Sequence, residues 1–207
     1  MVAQQLRRPH DGRRPITDPR VLEAMGCVPR HQFVAPRLQS QAYDDNPLPI
    51  GHGQTISQPY IVALMTEAVQ PQSGHRALDI GTGSGYQAAV LAELVKDVYS
   101  IEIVGPLARE ASERLRLLGY DNVEVRHGDG YQGWQEMAPF DVIVVAAAPT
   151  KIPQPLIDQL AVGGRLVIPV GAERQELVVL EKLVDGTLRR SSIAGVRFVP
   201  MTGEARP

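Results

Sequence analysis

From residue 76 onward, short apolar runs alternate with stretches whose apolar positions recur at helical spacing. The runs predict strands at 76–80, 98–103, 123–126, 141–145 and 165–170, and the stretches between predict helices at 86–94, 107–118 and 153–160. Such alternation is the mark of β–α units and a mostly parallel sheet. Two later runs, 177–183 and 196–200, flank Asp185-Gly186 and predict strands of an antiparallel hairpin edge. Ahead of the sheet, Thr17 or Asp18 can cap a helix with Pro19 in its first turn. Val21, Leu22 and Met25 share one face of it before Gly26 stops it. A short element follows at 28–34. Another helix starts at Ser57-Gln58-Pro59, carries Ile61, Leu64, Met65 and Ala68 on one face, and ends near Pro71. Between them, residues 46–57 place proline and glycine too closely for helix or regular strand, so a long irregular lid or binding loop is expected. The predicted class is α/β, doubly wound and mostly parallel, with N-terminal helical additions and a late antiparallel edge.

Composition narrows the function more than the fold. At about 150 residues per domain, 207 residues mean one domain, two at most. Twenty-one Lys and Arg against 23 Asp and Glu argue against a generic nucleic-acid binder. No apolar run reaches about 18 residues, so no membrane span is expected. The single cysteine, Cys27, cannot form an internal disulfide; it suits a reducing compartment and reads as a small buried hydrophobe of the first helix. His10, His31, His52, His75 and His127 lack zinc-ligand spacing, so no metal site is expected. Arg7, Arg8, Arg13 and Arg14 face only Asp11 in charge and precede no apolar run, which predicts a disordered tail over 1–16 rather than a secretory signal.

One strand-to-helix junction carries candidate chemistry. Ala77-Leu78-Asp79-Ile80 runs into Gly81-Thr82-Gly83-Ser84-Gly85, and Tyr86 opens a helix. Glycines there permit positive φ and let a ligand approach the backbone at a helix N-terminus, where anionic groups are favoured. The dinucleotide pattern G-x-G-x-x-G would need glycine where Tyr86 stands, and no G-x-x-x-x-G-K-[ST] loop occurs. Three alternating glycines preceded by an acid suit an adenosine ligand with a charged amino-acid tail and no pyrophosphate, which is S-adenosylmethionine. Asp79, Gly81, Thr82, Gly83 and Gly85 are the expected contacts. Glu102, ending the next strand about 20 residues on, is placed to accept from ribose hydroxyls. Asp129 in Gly128-Asp129-Gly130 can accept from an adenine amino group. The structural alternatives at these three places are a tight turn, a solvated strand end and an ordinary Asp-Gly turn.

Methyl transfer from a sulfonium asks mainly for positioning and a dry, shaped site. A nucleobase amine usually calls for an N/D-P-P-Y-type loop after the fourth strand, where this chain has Ala146-Ala147-Ala148-Pro149-Thr150. A phenol would want a base or a metal, and neither is evident. A carboxylate needs no base, being ionised near pH 7 with an unperturbed pKa of about 4. Rival readings are a methyltransferase for another carboxylate or hydroxyl, a non-catalytic binding module, and a nicotinamide oxidoreductase that the early third glycine disfavours.

The segment from Ala42-Tyr43 through Pro47-Leu48-Pro49-Ile50-Gly51-His52-Gly53-Gln54-Thr55-Ile56-Ser57-Gln58-Pro59 resembles the signature of the protein-L-isoaspartate (D-aspartate) O-methyltransferases. The resemblance continues through 79–87, 127–130, 163–171 and 196–200, spanning about residues 17 to 202. It implies a Rossmann-like methyltransferase fold, with one domain over 17–207: N-terminal helices and lid loop in 17–70, cofactor-binding sheet in 71–207. It implies S-adenosylmethionine-dependent methylation of the α-carboxylate of L-isoaspartyl and D-aspartyl residues in damaged proteins. The ester then recloses to succinimide, which partly reopens to normal aspartate. The family's active-site serine falls on Ser57, read as a hydroxyl donor that orients the carboxylate; by residue type alone, Ser57 before Pro59 also suits a helix N-cap. Gln54, Thr55 and Ile56 would line the cofactor and substrate sides of that loop, with Gly128, Asp129 and Gly130 on the cofactor. Val196, Phe198 and Val199 would pair with the substrate backbone. The expected partners are isoaspartyl proteins and peptides, with no nucleic acid or membrane, for a monomer in the cytoplasm. The chain departs from the family where members often carry Glu (Asp79) and Thr (Ala146).

Overall fold

The computed structural model describes residues 1–9 and 12–205; His10 and Asp11, counted above, lie outside the described residues. The first helix, α1 (Pro19–Cys27), starts as expected: Asp18 Oδ1 accepts the Arg20 N–H at 2.9 Å and Pro19 fills the first turn. Gly26 does not stop it, because the turn continues to Cys27 with Ala24, Met25 and Val28 packed inward. Cys27 itself is exposed rather than buried, since it falls off that packed face.

The tail expected to be disordered is instead packed in its described part. Leu6 is 0% and Ile16 2% exposed, and the Ile16 N–H donates to the Leu6 carbonyl. Arg13 pairs with Asp45 at 2.7 Å and Arg14 with Glu67 at 2.6 Å. Leu6 and Ile16 each bury apolar surface worth about 1.5–3 kcal/mol, an anchorage that arginine count alone does not reveal.

Residues 46–57 are also more regular than predicted. They form a hairpin, β1 (Leu48–Gly51) and β2 (Gln54–Ile56), pairing Leu48 with Ile56 and Gly51 with Gln54. Gly51, His52 and Gly53 turn it with φ of 93°, 52° and 71°. Pro49 is tolerated because a two-stranded ribbon is all edge and needs no N–H there. Helix α2 (Pro59–Ala68) follows.

The sheet builds from β3 (Arg76–Ile80), α3 (Tyr86–Ala92), β4 (Asp97–Glu102), α4 (Gly105–Leu117), β5 (Val123–His127), β6 (Phe140–Val145), α5 (Gln154–Asp158), β7 (Leu160–Val170), β8 (Gln175–Lys182) and β9 (Leu188–Val196). Strand order is β5-β4-β3-β6-β7-β8-β9, parallel through β7, with β8 antiparallel to both neighbours. Alternate strand residues serve two cores. Ala77, Val142, Val144 and Val167 pack with α1, α2 and α3. Leu78, Ile143, Val145 and Leu166 pack with Trp134, Phe140 and Leu156 on the other face.

The last strand is displaced from the prediction. It occupies 188–196, while 197–200 leave the sheet, and Pro200 forms a parallel bridge with Ala148 in the loop after β6. An edge strand meets water and accepts Arg189, Arg190, Ser191 and Ser192, so apolar alternation does not mark it.

Candidate active site

Strand order reverses between β3 and β6, and ligands of open α/β sheets sit at such a switch point, outside the carboxyl ends of the strands. Here the glycine loop leaves β3. The Gly81 and Thr82 N–H groups donate to the Ile101 carbonyl at 2.9 and 3.2 Å, which ties the loop to β4. Gly81 has φ 88°, and a Cβ there would lie 3.5 Å from the Ala146 side chain at the end of β6. Gly85 has φ 92° and a Cβ would meet Leu115 at 3.1 Å, so this third glycine lets α3 approach α4; it is not among the residues lining the cleft.

Beneath the loop a polar chain runs inward. Thr82 Oγ1 and Ser100 Oγ are 2.6 Å apart, and Ser100 Oγ donates to Asp79 Oδ2 at 2.7 Å. Asp79 is fully buried, and among the described residues its Oδ1 has no hydrogen-bond partner. Burial pushes its carboxyl up to about 7 against the opposing Ser100 hydrogen bond, with the Glu102 charge adding to the rise. Glu102 lies on the cleft wall, where Oε2 accepts the Gly83 N–H at 2.7 Å and Oε1 the Val104 N–H at 2.9 Å. A carboxylate offers about four lone-pair sites, so two remain for hydroxyl donors.

The hairpin β1–β2 closes the cleft from the other side. Gln54, Thr55, Ile56 and Ser57 join Gly81, Thr82, Gly83 and Gly130 on its wall. Ser57 does not cap α2: the N-cap position is Gln58, and the Tyr60 N–H of the first turn is held by Asp45 Oδ1 at 2.9 Å. Its backbone is anchored by Arg30, a residue to which sequence reasoning assigned no role. Arg30 is fully buried; its Nη2 donates to the Ser57 carbonyl at 2.7 Å and its Nε to the Ala42 carbonyl at 2.8 Å. The guanidinium lies 4.7 Å from the Tyr86 ring centroid, a cation–π stack. Burial lowers its pKa and pushes the Tyr86 phenol up to about 12, so Tyr86 is neutral.

Asp129 is not among the residues lining the cleft, although its neighbour Gly130 is. Its Oδ1 accepts the Tyr131 N–H at 2.9 Å and its Oδ2 the Glu204 N–H at 2.8 Å, so its carboxylate is engaged within the chain. Gly128 also lies off the wall. Ile101 and Ile103 supply apolar wall beside Glu102, Ile103 being 38% exposed; their place flanking the acid was the signal available for them. A second groove, lined by Val196, Phe198 and Val199, adjoins the first. The two share Thr55, Ser57, Ala146, Val199 and Pro200.

The cleft fits S-adenosylmethionine by donor set. It has a half-committed carboxylate that suits ribose hydroxyls and apolar isoleucines beside it, with the unsatisfied carboxyl oxygen of Asp79 buried beneath the glycine loop. A doubly wound sheet with this loop at its switch point defines a Rossmann-like S-adenosylmethionine-dependent methyltransferase. Over residues 3–206 the chain matches the family described as protein-L-isoaspartate(D-aspartate) O-methyltransferase, and it belongs to that family. Protein-L-isoaspartate O-methyltransferase 2 of Polaromonas sp. is 58% identical, covering 92% of each chain. The protein-L-isoaspartate O-methyltransferase of Gloeobacter violaceus is 56% identical over 99% of this chain and 98% of its own. A beta-aspartate methyltransferase from Plasmodium falciparum, solved with S-adenosyl-L-homocysteine, superposes with a TM-score of 0.78 at 29% identity, covering 90% of this chain and 92% of that one.

Proposed function

We propose that methyl transfer takes place where the two cavities meet, at Thr55, Ser57, Ala146, Val199 and Pro200, and this shared wall is the observation that carries the reading. The chain uses S-adenosylmethionine to methylate isoaspartyl residues of damaged proteins and so initiates their repair through succinimide. When bound, S-adenosylmethionine supplies an electrophilic methyl group on a sulfonium. Gly81, Thr82, Gly83 and Glu102 hold the donor in the first cavity, with Asp79 beneath the loop. Gln54, Thr55 and Ile56 line the donor side, and Thr55 reaches the acceptor side as well. The second groove takes the peptide, with the 196–199 segment along its main chain.

Ser57 is the residue that touches the acceptor: its hydroxyl, not engaged in capping α2, donates to the α-carboxylate and fixes its direction. No base is needed, because the acid is ionised at neutral pH. The apolar walls exclude water, and a partly desolvated site favours a reaction in which opposite charges cancel. Ala146 brings only a methyl group to the shared wall, so orientation rests on Ser57. The enzyme works as a cytoplasmic monomer without nucleic-acid or membrane partners. One chain lines both cavities, the formal charge is −2, and no helix among the described residues is long and apolar enough to cross a membrane.

The test is a matched pair of peptides, one isoaspartyl and one normal aspartyl. S-adenosylhomocysteine should form with the isoaspartyl peptide and not with its twin. Equal methylation of both, or none, overturns the reading.

A further inference from the structure

Residues 197–201 form the partition between the two cavities, and they belong to no strand. The β8–β9 ladder ends where Gln175 faces Val196, so no strand remains beside Phe198. In its place the Gln175 side chain acts as a one-residue strand: Oε1 accepts the Phe198 N–H at 2.6 Å and Nε2 donates to the Phe198 carbonyl at 3.1 Å. One and three residues on, the segment is moored again, since the Ala148 N–H donates to the Val199 carbonyl at 2.8 Å and the Met201 N–H to the Ala148 carbonyl at 2.9 Å.

We infer that Gln175 is a positioning residue for the protein substrate, holding the 197–200 segment extended so that the Arg197 peptide group faces the groove. An extended residue directs its N–H and C=O to one edge and its neighbours direct theirs to the other. With Phe198 turned toward Gln175, the Arg197 N–H and C=O point away from β8, toward an incoming chain. This refines the sequence-based expectation: the Phe198 main chain is already satisfied within the protein, so pairing with substrate falls to its neighbour. A main-chain contact of this kind ignores side-chain identity, which suits an enzyme that must accept damage in any sequence context. The amide is required because it both accepts and donates. The inference rests on the reading of this groove as the isoaspartyl-peptide site.

Two variants test it. Gln175→Met keeps the side-chain length and removes both bonds; Gln175→Glu keeps the acceptor for the Phe198 N–H and sets a carboxylate oxygen against the Phe198 carbonyl in place of the donor. Methylation of an isoaspartyl hexapeptide is followed at saturating S-adenosylmethionine. Calorimetry gives the Kd of S-adenosylhomocysteine, and hydrogen exchange reports the Phe198 amide. Peptide KM should rise about tenfold in Gln175→Met and about threefold in Gln175→Glu, the scale of losing one net hydrogen bond or part of one. In both, kcat and the Kd should stay within about twofold, the pattern of lost uniform binding. The Phe198 amide should exchange faster in Gln175→Met. A KM unmoved in both variants overturns the assignment, as does a Kd that weakens in step with KM, because that marks a general loss of structure. Should Gln175→Met fail to fold, Gln175→Glu decides alone. A wild-type enzyme inactive on the peptide defeats the proposed function itself; an active wild type with unmoved KM in the variants defeats only the role of Gln175.

Discussion

Asp79 is a carboxyl group sealed beneath a glycine loop with one oxygen unanswered, and burial raises its pKa from 3.8 to about 7. Between those values the folded state keeps a proton that the unfolded chain releases, so stability is greatest below the unfolded pKa and is lost as pH rises through about 7. Asp79→Asn removes that proton linkage. Thermal unfolding followed from about pH 5 to pH 8 should show wild type losing Tm across the window relative to the variant, with Asp79→Asn the more stable at the upper end. Parallel profiles would mean that the carboxyl is ionised in the fold throughout. The residue scale also explains the shorter acid. Ser100 bridges Asp79 to Thr82, so the chain of hydroxyls reaches the loop where the carboxylate does not.

At the scale of elements, α2 and the hairpin before it divide two duties that sequence alone assigns to one serine. Asp45 closes the first turn of α2, receives Arg13 and leaves the Ser57 hydroxyl to the cleft. Asp45→Ala should therefore destabilise the protein by about 1 kcal/mol, the usual worth of a helix cap. Ser57→Ala should leave the unfolding free energy unchanged within about 0.5 kcal/mol, the ordinary range for a replacement that removes no structural contact, while turnover at saturating cofactor falls. Chemical denaturation of both variants, read beside their kcat, separates the roles; a Ser57→Ala loss confined to stability would return the serine to capping. The periodicity of α2 and the prolines of the hairpin were legible. Asp45 as the cap was not, because it lies 15 residues from the N–H it holds.

Across the whole molecule, the cleft draws together the ends of β3, β4 and β6, the N-terminal hairpin and the segment after β9, so a ligand there fastens distant parts of the fold. S-adenosylhomocysteine at a hundredfold excess over Kd should add about 2.7 kcal/mol to stability. For a domain of this size that is a Tm rise of roughly 5–10 °C, measurable by scanning calorimetry. A rise below about 2 °C at that excess would mean that the folded cleft does not bind the product as described.

The sequence by itself determined the order of strands and helices from β3 through β8, the glycine loop, Glu102 at the end of its strand, and the segment leading to Ser57 as a place of interest, though as an irregular loop and not a hairpin. Those signals are local: apolar spacing reports which face a residue buries, and glycine and proline restrict their own backbone. The tertiary structure alone decided that Leu6 and Ile16 pack the tail, that the polar run after Gly186 is an edge strand, and that Asp129 holds Glu204. It also set Arg30 behind Ser57, 27 residues away, and Gln175 against Phe198, 23 residues away. Each of these joins a side chain to main chain brought near only by folding, and a hydrogen bond to a peptide group leaves no mark on the identity of the residue that supplies it.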